Sequence, residues 1–393
     1  MDKNLKENTL PFVLQSYSQW ALASIFEPLK VVHTMRDHVI QQFLSEDART
    51  RIILIANVMS MSAKNPVVDE TGASILAHLI SSIQENIRSF LAAPPSHILA
   101  VDRRNARCVL ENSMEVMTLQ LFMGPMATGI QIIEDVAPVF RRACPGSPDQ
   151  PLQLANILLE PELNLRHFVT ADILTNILTG RPTCFKYEVA FSGELWERML
   201  QLQGDYGLQC LQGLPDQFIM IFAWIYSLSE IPGASADTSL ITWIESEIIQ
   251  VRAVPGQLED PALRIGRAAV REGWRSAALI YLYMVLGGAD ASDPRVVRAV
   301  KNFMRLVNGT KPGRIPDTHF SNAMVLIGVA ACKERDRSVL RQRILNVPEC
   351  SVPGTAGHAT VLQLEDIWAR TKNEGRAAVW ADMRIANFRV IGI

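Results

Sequence analysis

Between Asp216 and Glu230 the chain runs DQFIMIFAWIYSLSE, which is apolar around its whole circumference once wound as a helix. A helix of that kind has no face to give to water, so it needs neighbours on every side. A second run, AALIYLYMVL at 277–286, makes the same demand. Both fall far short of the ~20 apolar residues that span a bilayer. They are expected to be buried helices of an array, with no transmembrane segment. The chain of 393 residues is longer than one core usually grows, so two sub-domains or one elongated layered array are expected.

Other segments carry the one-sided pattern of a helix against a core. SILAHLISSIQENIRSFL at 74–91 places Ile75, Leu79, Ile83, Ile87 and Phe90 on one stripe, with Ser81, Gln84, Glu85 and Arg88 on the wet side. Two prolines in the following AAPPS stop it. SDPRVVRAVKNFMRLVNG offers Asp293 as N-cap and Pro294 at the first helical position. It sets Val296, Val300, Phe303 and Val307 on one face before Asn308-Gly309 ends it. No sustained period-two alternation bounded by hairpin turns is found, and RIILIANVM also fits helical spacing. The fold class is therefore all-α. Breakers at 93–96, 144–151, 231–236, 253–257, 311–316 and 347–357 suggest antiparallel helix pairs joined by short loops. There is no fixed-period repeat. A candidate sub-domain boundary lies near 145–150, where PGSPDQP is richest in turn residues, and residues 1–9 are expected to be disordered.

Charge excludes one class of partner in bulk: a net charge of -2 gives no sign of a chain-wide cationic footprint for nucleic acid. The cysteines at 108, 144, 184, 210, 332 and 350 include no C-x-x-C pair, so they are expected to be reduced thiols rather than a zinc site or a disulfide framework. The N-terminus lacks the apolar core of a signal peptide, which points to the cell interior. NGT at 308–310 is read as a helix-ending turn rather than a glycosylation site. None of the common catalytic signatures is present. His33 and His38 stand about 140° apart on a helix and do not converge on a metal. The basic run KERDRSVLRQR, 333–343, is read as a solvated helix face, and Met114, Met117, Met123 and Met126 as core fillers.

HFVTADILTNILTGRPTCFKY, 167–187, gathers His167, Asp172, Arg181 and Cys184. As a helix it shows Phe168, Ala171, Leu174, Ile177 and Leu178 on one face and ends at Gly180. Asp172 falls at the edge of that face, where a carboxylate needs a partner, and Arg181 is the nearest candidate. A nucleophilic role for Cys184 lacks a residue to orient His167. The reading is structural: Asp172 and Arg181 pair and lock the helix to RPTCFKY.

NLRHFVTADILTNILTGRPTCFKY resembles the helix-and-RP segment of the regulatory domain of fungal zinc binuclear-cluster transcription factors, the fungal-specific transcription factor domain. The resemblance continues through LQSYSQWALASIFEPL, APVFRRACPG, EGWRSAALIYLYMVL, FMRLVNGTKPGRIPD and LEDIWARTKNEGRAAVWADMRIA, across residues 10–393. It implies an all-α, non-enzymatic domain in which Asp172, Arg181, Pro182, Trp274, Tyr281, Trp368 and Trp380 match characteristic packing and pairing positions. Partners so implied are transcription co-regulators or a small-molecule effector, with a homodimer as a further option, acting in the nucleus. The family's zinc and DNA reading belong to an N-terminal cluster of the form C-x2-C-x6-C, which these residues do not contain. No cofactor is therefore expected in this chain, and DNA is reached only through an upstream module. A free-standing interaction protein of the cytoplasm is the alternative.

Overall fold

The structure is a computed structural model that describes residues 9–65, 67–146, 150–190, 192–206, 208–234, 237–251 and 261–393. Among them are nineteen α-helices. The first group comprises α1 (Thr9–Ser24), α2 (Pro28–Leu44), α3 (Glu46–Lys64), α4 (Glu70–Ala92), α5 (Leu99–Met123) and α6 (Met126–Ala143). Next come α7 (Leu154–Leu158), α8 (Leu163–Thr179), α9 (Gly193–Tyr206), α10 (Leu208–Gln212), α11 (Asp216–Ser229) and α12 (Thr238–Gln250). The last group is α13 (Pro261–Tyr281), α14 (Pro294–Gly309), α15 (Arg314–Val329), α16 (Glu334–Leu345), α17 (Pro348–Ser351), α18 (Ala356–Glu374) and α19 (Ala381–Ile391). Expected disorder at 1–9 and the boundary near 145–150 fall largely on 1–8 and 147–149, outside the described residues, although Thr9 already belongs to α1. The breaker at 253–257 also lies outside them.

Local chemistry explains where the helices begin. Asp69 accepts a hydrogen bond from the Gly72 N–H at 2.8 Å, so α4 starts one turn before the stripe at 74–91. Asp293 does the same for the Arg295 N–H at 2.8 Å, with Pro294 in the first turn of α14. Asp237 caps α12 and Thr355 caps α18. Consecutive helices pack as pairs: α5 on α6 across Gly124-Pro125, α13 on α14, α15 on α16 and α18 on α19. α11 begins at Asp216 and meets α7, α8, α9, α12 and α13, the all-round enclosure its composition requires. AALIYLYMVL departs from a plain α-helix, because α13 continues into a π turn at Leu282–Leu286 closed by the Gly287 N–H on the Leu282 carbonyl.

One set of buried apolar side chains runs continuously from Val13 to Ala386. Met114 and Met117 are buried within it, Met123 is half-buried against it, and Met126 belongs to a small satellite with Ile130, Ala356 and Ala359. The only strand pairing among the described residues is two residues long: β1 (Leu152–Gln153) lies parallel to β2 (Tyr187–Glu188). That short ladder brings the segment after α8 back alongside it.

Candidate functional site

α8 is enclosed by α5, α6, α7, α10, α11, α15 and α19. This crowding buries Asp172 and Asn176 as well as Phe168, Ala171 and Ile177, while Leu174 and Leu178 are half-buried. Gly180 ends the helix at φ +69°, a conformation that costs an L side chain about 1–2 kcal/mol. A Cβ there would also meet the Arg384 backbone at 3.1 Å.

The expected Asp172–Arg181 pair is not formed. Asp172 Oδ1 accepts the Cys184 backbone N–H at 2.8 Å, and Oδ2 accepts the Tyr187 hydroxyl at 2.6 Å. Arg181 turns away and donates to Glu134 on α6. The cause is the path of the chain. The left-handed turn at Gly180 starts a return run that pairs with β1, and this lays Cys184 and Tyr187, not the arginine side chain, over Asp172. The expected lock between α8 and RPTCFKY exists with other partners. Burial pushes the Asp172 carboxyl up, against the lowering effect of the Tyr187 and Cys184 donors.

One turn along α8, Asn176 donates to the Arg181 carbonyl and accepts from the Tyr281 hydroxyl at 3.3 Å. Tyr281 also packs edge-on against Trp380 at 5.0 Å and Phe222 at 5.4 Å, and Phe222 meets Trp274 at 6.1 Å. Five of the singled-out residues, Asp172, Arg181, Tyr281, Trp274 and Trp380, are thus linked through α8 and Phe222. Pro182 is exposed on the return run, and Trp368 is buried apart from them on α18. A Cys–His nucleophile is disfavoured by the environment of both groups. Burial pushes the Cys184 thiol up and the His167 imidazole down to about 4, whereas an activated thiolate needs the reverse.

Sequence reasoning missed a second lock. Asp382, fully buried at the start of α19, accepts from Arg376 through both carboxylate oxygens at 2.7 Å, from Arg370, and from the Val379 N–H at 2.9 Å. Its residues lie inside LEDIWARTKNEGRAAVWADMRIA, where arginines flank the Gly375 stop and an aspartate opens the next helix. The run at 333–343 also departs from a solvated face. Arg337 and Arg341 lie 5.4 and 5.2 Å from the Trp368 ring, and buried Arg343 pairs with Asp317 and donates to the Val307 and Thr310 carbonyls that end α14. Only Lys333 and Arg335 of its cations remain exposed.

Two clefts could admit a ligand. One, of about 400 Å³, lies between α5 and the start of α8. Its Arg107 is neutralised by Glu162 at 2.9 Å, and Glu111 is held by His38 at 2.8 Å. Among the described residues Arg103 binds the Gly146 carbonyl alone and exposed Arg104 has no carboxylate partner, so the described lining holds more arginine than carboxylate. The other, of about 440 Å³, is lined by Cys332, Arg337, Lys372 and Arg376, of which two arginines are already engaged as above. Among the described residues no three His, Cys, Asp or Glu side chains converge as a metal ion would require, and no helix is long and apolar enough to cross a membrane.

Searches of curated proteins and of solved structures returned no match. A family model described as a fungal specific transcription factor domain matches residues 146–386, the stretch that holds both buried locks and the aromatic cluster between them. The chain belongs to the fungal specific transcription factor domain family.

Proposed function

We propose that the chain is the regulatory domain of a fungal RNA polymerase II transcription factor, acting in the nucleus by binding a small-molecule effector or a co-regulator. DNA recognition is assigned to a zinc-cluster module outside these residues. The observation that carries the reading is the family match over 146–386. The cationic cleft beside Arg103 and Arg104 supports an anionic effector, because guanidinium groups without a carboxylate favour carboxylate or phosphate ligands. A regulatory domain of this kind works by shifting the population of states in which an attached reader is presented.

The reading is tested by selecting duplexes from a random pool at ~150 mM salt, where bare phosphate contacts weaken. The chain alone is expected to enrich no motif. Fusion to a binuclear-cluster segment is expected to enrich that segment's own triplets and nothing further. A motif enriched by the 393 residues alone would place the reader within them.

A further inference from the structure

The bulk charge of -2 conceals a strongly polarised distribution. Residues 261–314 hold ten Lys and Arg against three Asp and Glu. α14 concentrates this excess. Its sequence, PRVVRAVKNFMRLVNG, contains no acid. Val296, Val300, Phe303, Met304 and Val307 are buried, which fixes the helix's rotation and sends Arg298, Lys301 and Arg305 into solvent. Arg295, by contrast, is held by Asp293 at 2.9 Å and lies over the Tyr283 ring. The other three have no carboxylate partner among the described residues. Their spacing of three and four residues puts them on one stripe, which at 1.5 Å per residue is ~10 Å long.

We propose that this face of α14 docks on the phosphodiester backbone of duplex DNA, without reading bases. The chemistry of the face selects that partner over other polyanions. Besides the three cations it presents Asn302 and Asn308 as further exposed polar groups, and Val297 is its one exposed large apolar side chain. Amphipathic membrane-surface helices and the centres of protein interfaces add an apolar surface that this face does not offer. A phosphate backbone asks only for cations and donors in a row, and such contacts hold a protein in position without specifying sequence. The surface is distinct from both clefts and independent of the effector reading. It would add affinity to a reader placed elsewhere.

The test is fluorescence anisotropy of the full chain with a random-sequence duplex of about 30 base pairs between 25 and 100 mM salt. Three phosphate contacts predict a log–log salt slope of about -2.7, so that binding weakens roughly 40-fold over this range. Arg298→Gln/Lys301→Gln/Arg305→Gln should flatten the slope toward zero, and Arg298→Glu/Lys301→Glu/Arg305→Glu should abolish binding. Both are exposed replacements, and the glutamine variant stands if the charge reversal fails to fold. Wild-type chain that fails to bind at 25 mM salt, or a folded glutamine variant that binds as wild type does, overturns the proposal. So does tighter binding to polyglutamate or anionic vesicles than to duplex at equal charge concentration.

Discussion

Asp382→Ala is expected to destabilise the domain by about 3–5 kcal/mol, the usual cost of removing one partner from a buried ion pair. The carboxylate is fully buried and bonded to Arg370, Arg376 and the Val379 N–H, so its loss leaves the amide without its acceptor and the two guanidinium groups short of one, with Arg370 keeping Asp366 at 3.4 Å and Arg376 keeping Glu374 at 2.6 Å. Those contacts join the end of α18, the Gly375 turn and the start of α19, where the amide dipoles also favour a negative charge. Urea unfolding reads the effect as a lower midpoint at unchanged slope, and a loss below about 1 kcal/mol would mean that solvent relieves the arginines. Its pH dependence is fixed in sign. Burial raises the Asp382 carboxyl, but hydrogen bonds from Arg376 and Arg370 outweigh it and hold the group well below the usual carboxylate range. A depressed folded pKa gives stability that is fully present above the unfolded value of about 3.9 and is lost as pH falls through the folded value. The difference between wild type and variant should therefore be constant above about pH 5 and shrink below about pH 4.

Trp368→Ala is expected to cost a similar 3–5 kcal/mol through cavity formation. The indole is 5% exposed, shares its helix face with fully buried Leu364 and Ile367, and donates to the Gly328 carbonyl on α15 at 2.8 Å. α15 and α18 approach closely here: a Cβ at Gly328 would stand 2.7 Å from a Leu364 methyl, so neighbours have little room to fill the hole. Trp368→Phe keeps most of the packing and leaves the carbonyl short of a donor, for about 1–3 kcal/mol. Calorimetric or denaturant stabilities that rank alanine no worse than phenylalanine would show that the residue is not a core anchor.

Helices with their own punctuation were legible in the sequence. α14 announces itself through Asp293, Pro294 and a valine stripe, and α11 through an apolar circumference that only an enclosed position satisfies. Gly180 marked the end of α8 because a left-handed stop is a local requirement. The candidate site was legible only in its membership. Asp172 can be singled out by its place at the edge of an apolar helix face, and Tyr281 and Trp380 by the family resemblance, but their links run through Asn176 and through a return path set by pairing with β1, which precedes it by 35 residues (Leu152 to Tyr187). The basic run misled for a related reason. Arginine carries a long apolar stem, so a cation-rich helix can spend its charges on an aromatic ring, a buried aspartate and the carbonyl end of a distant helix. Charge bookkeeping over the whole chain likewise hid the α14 stripe, because acids elsewhere cancel it in the sum.

The most direct test of a regulatory role attaches the full chain to an unrelated DNA-binding module and measures a reporter driven by that module's site in a fungal host. The account predicts that the fusion changes reporter output relative to the module alone. It also predicts that Asp382→Ala, which loosens the junction of α18 and α19, removes the change while promoter occupancy by the module persists. A fusion whose output equals that of the bare module at equal occupancy, under every growth condition tried, would contradict it.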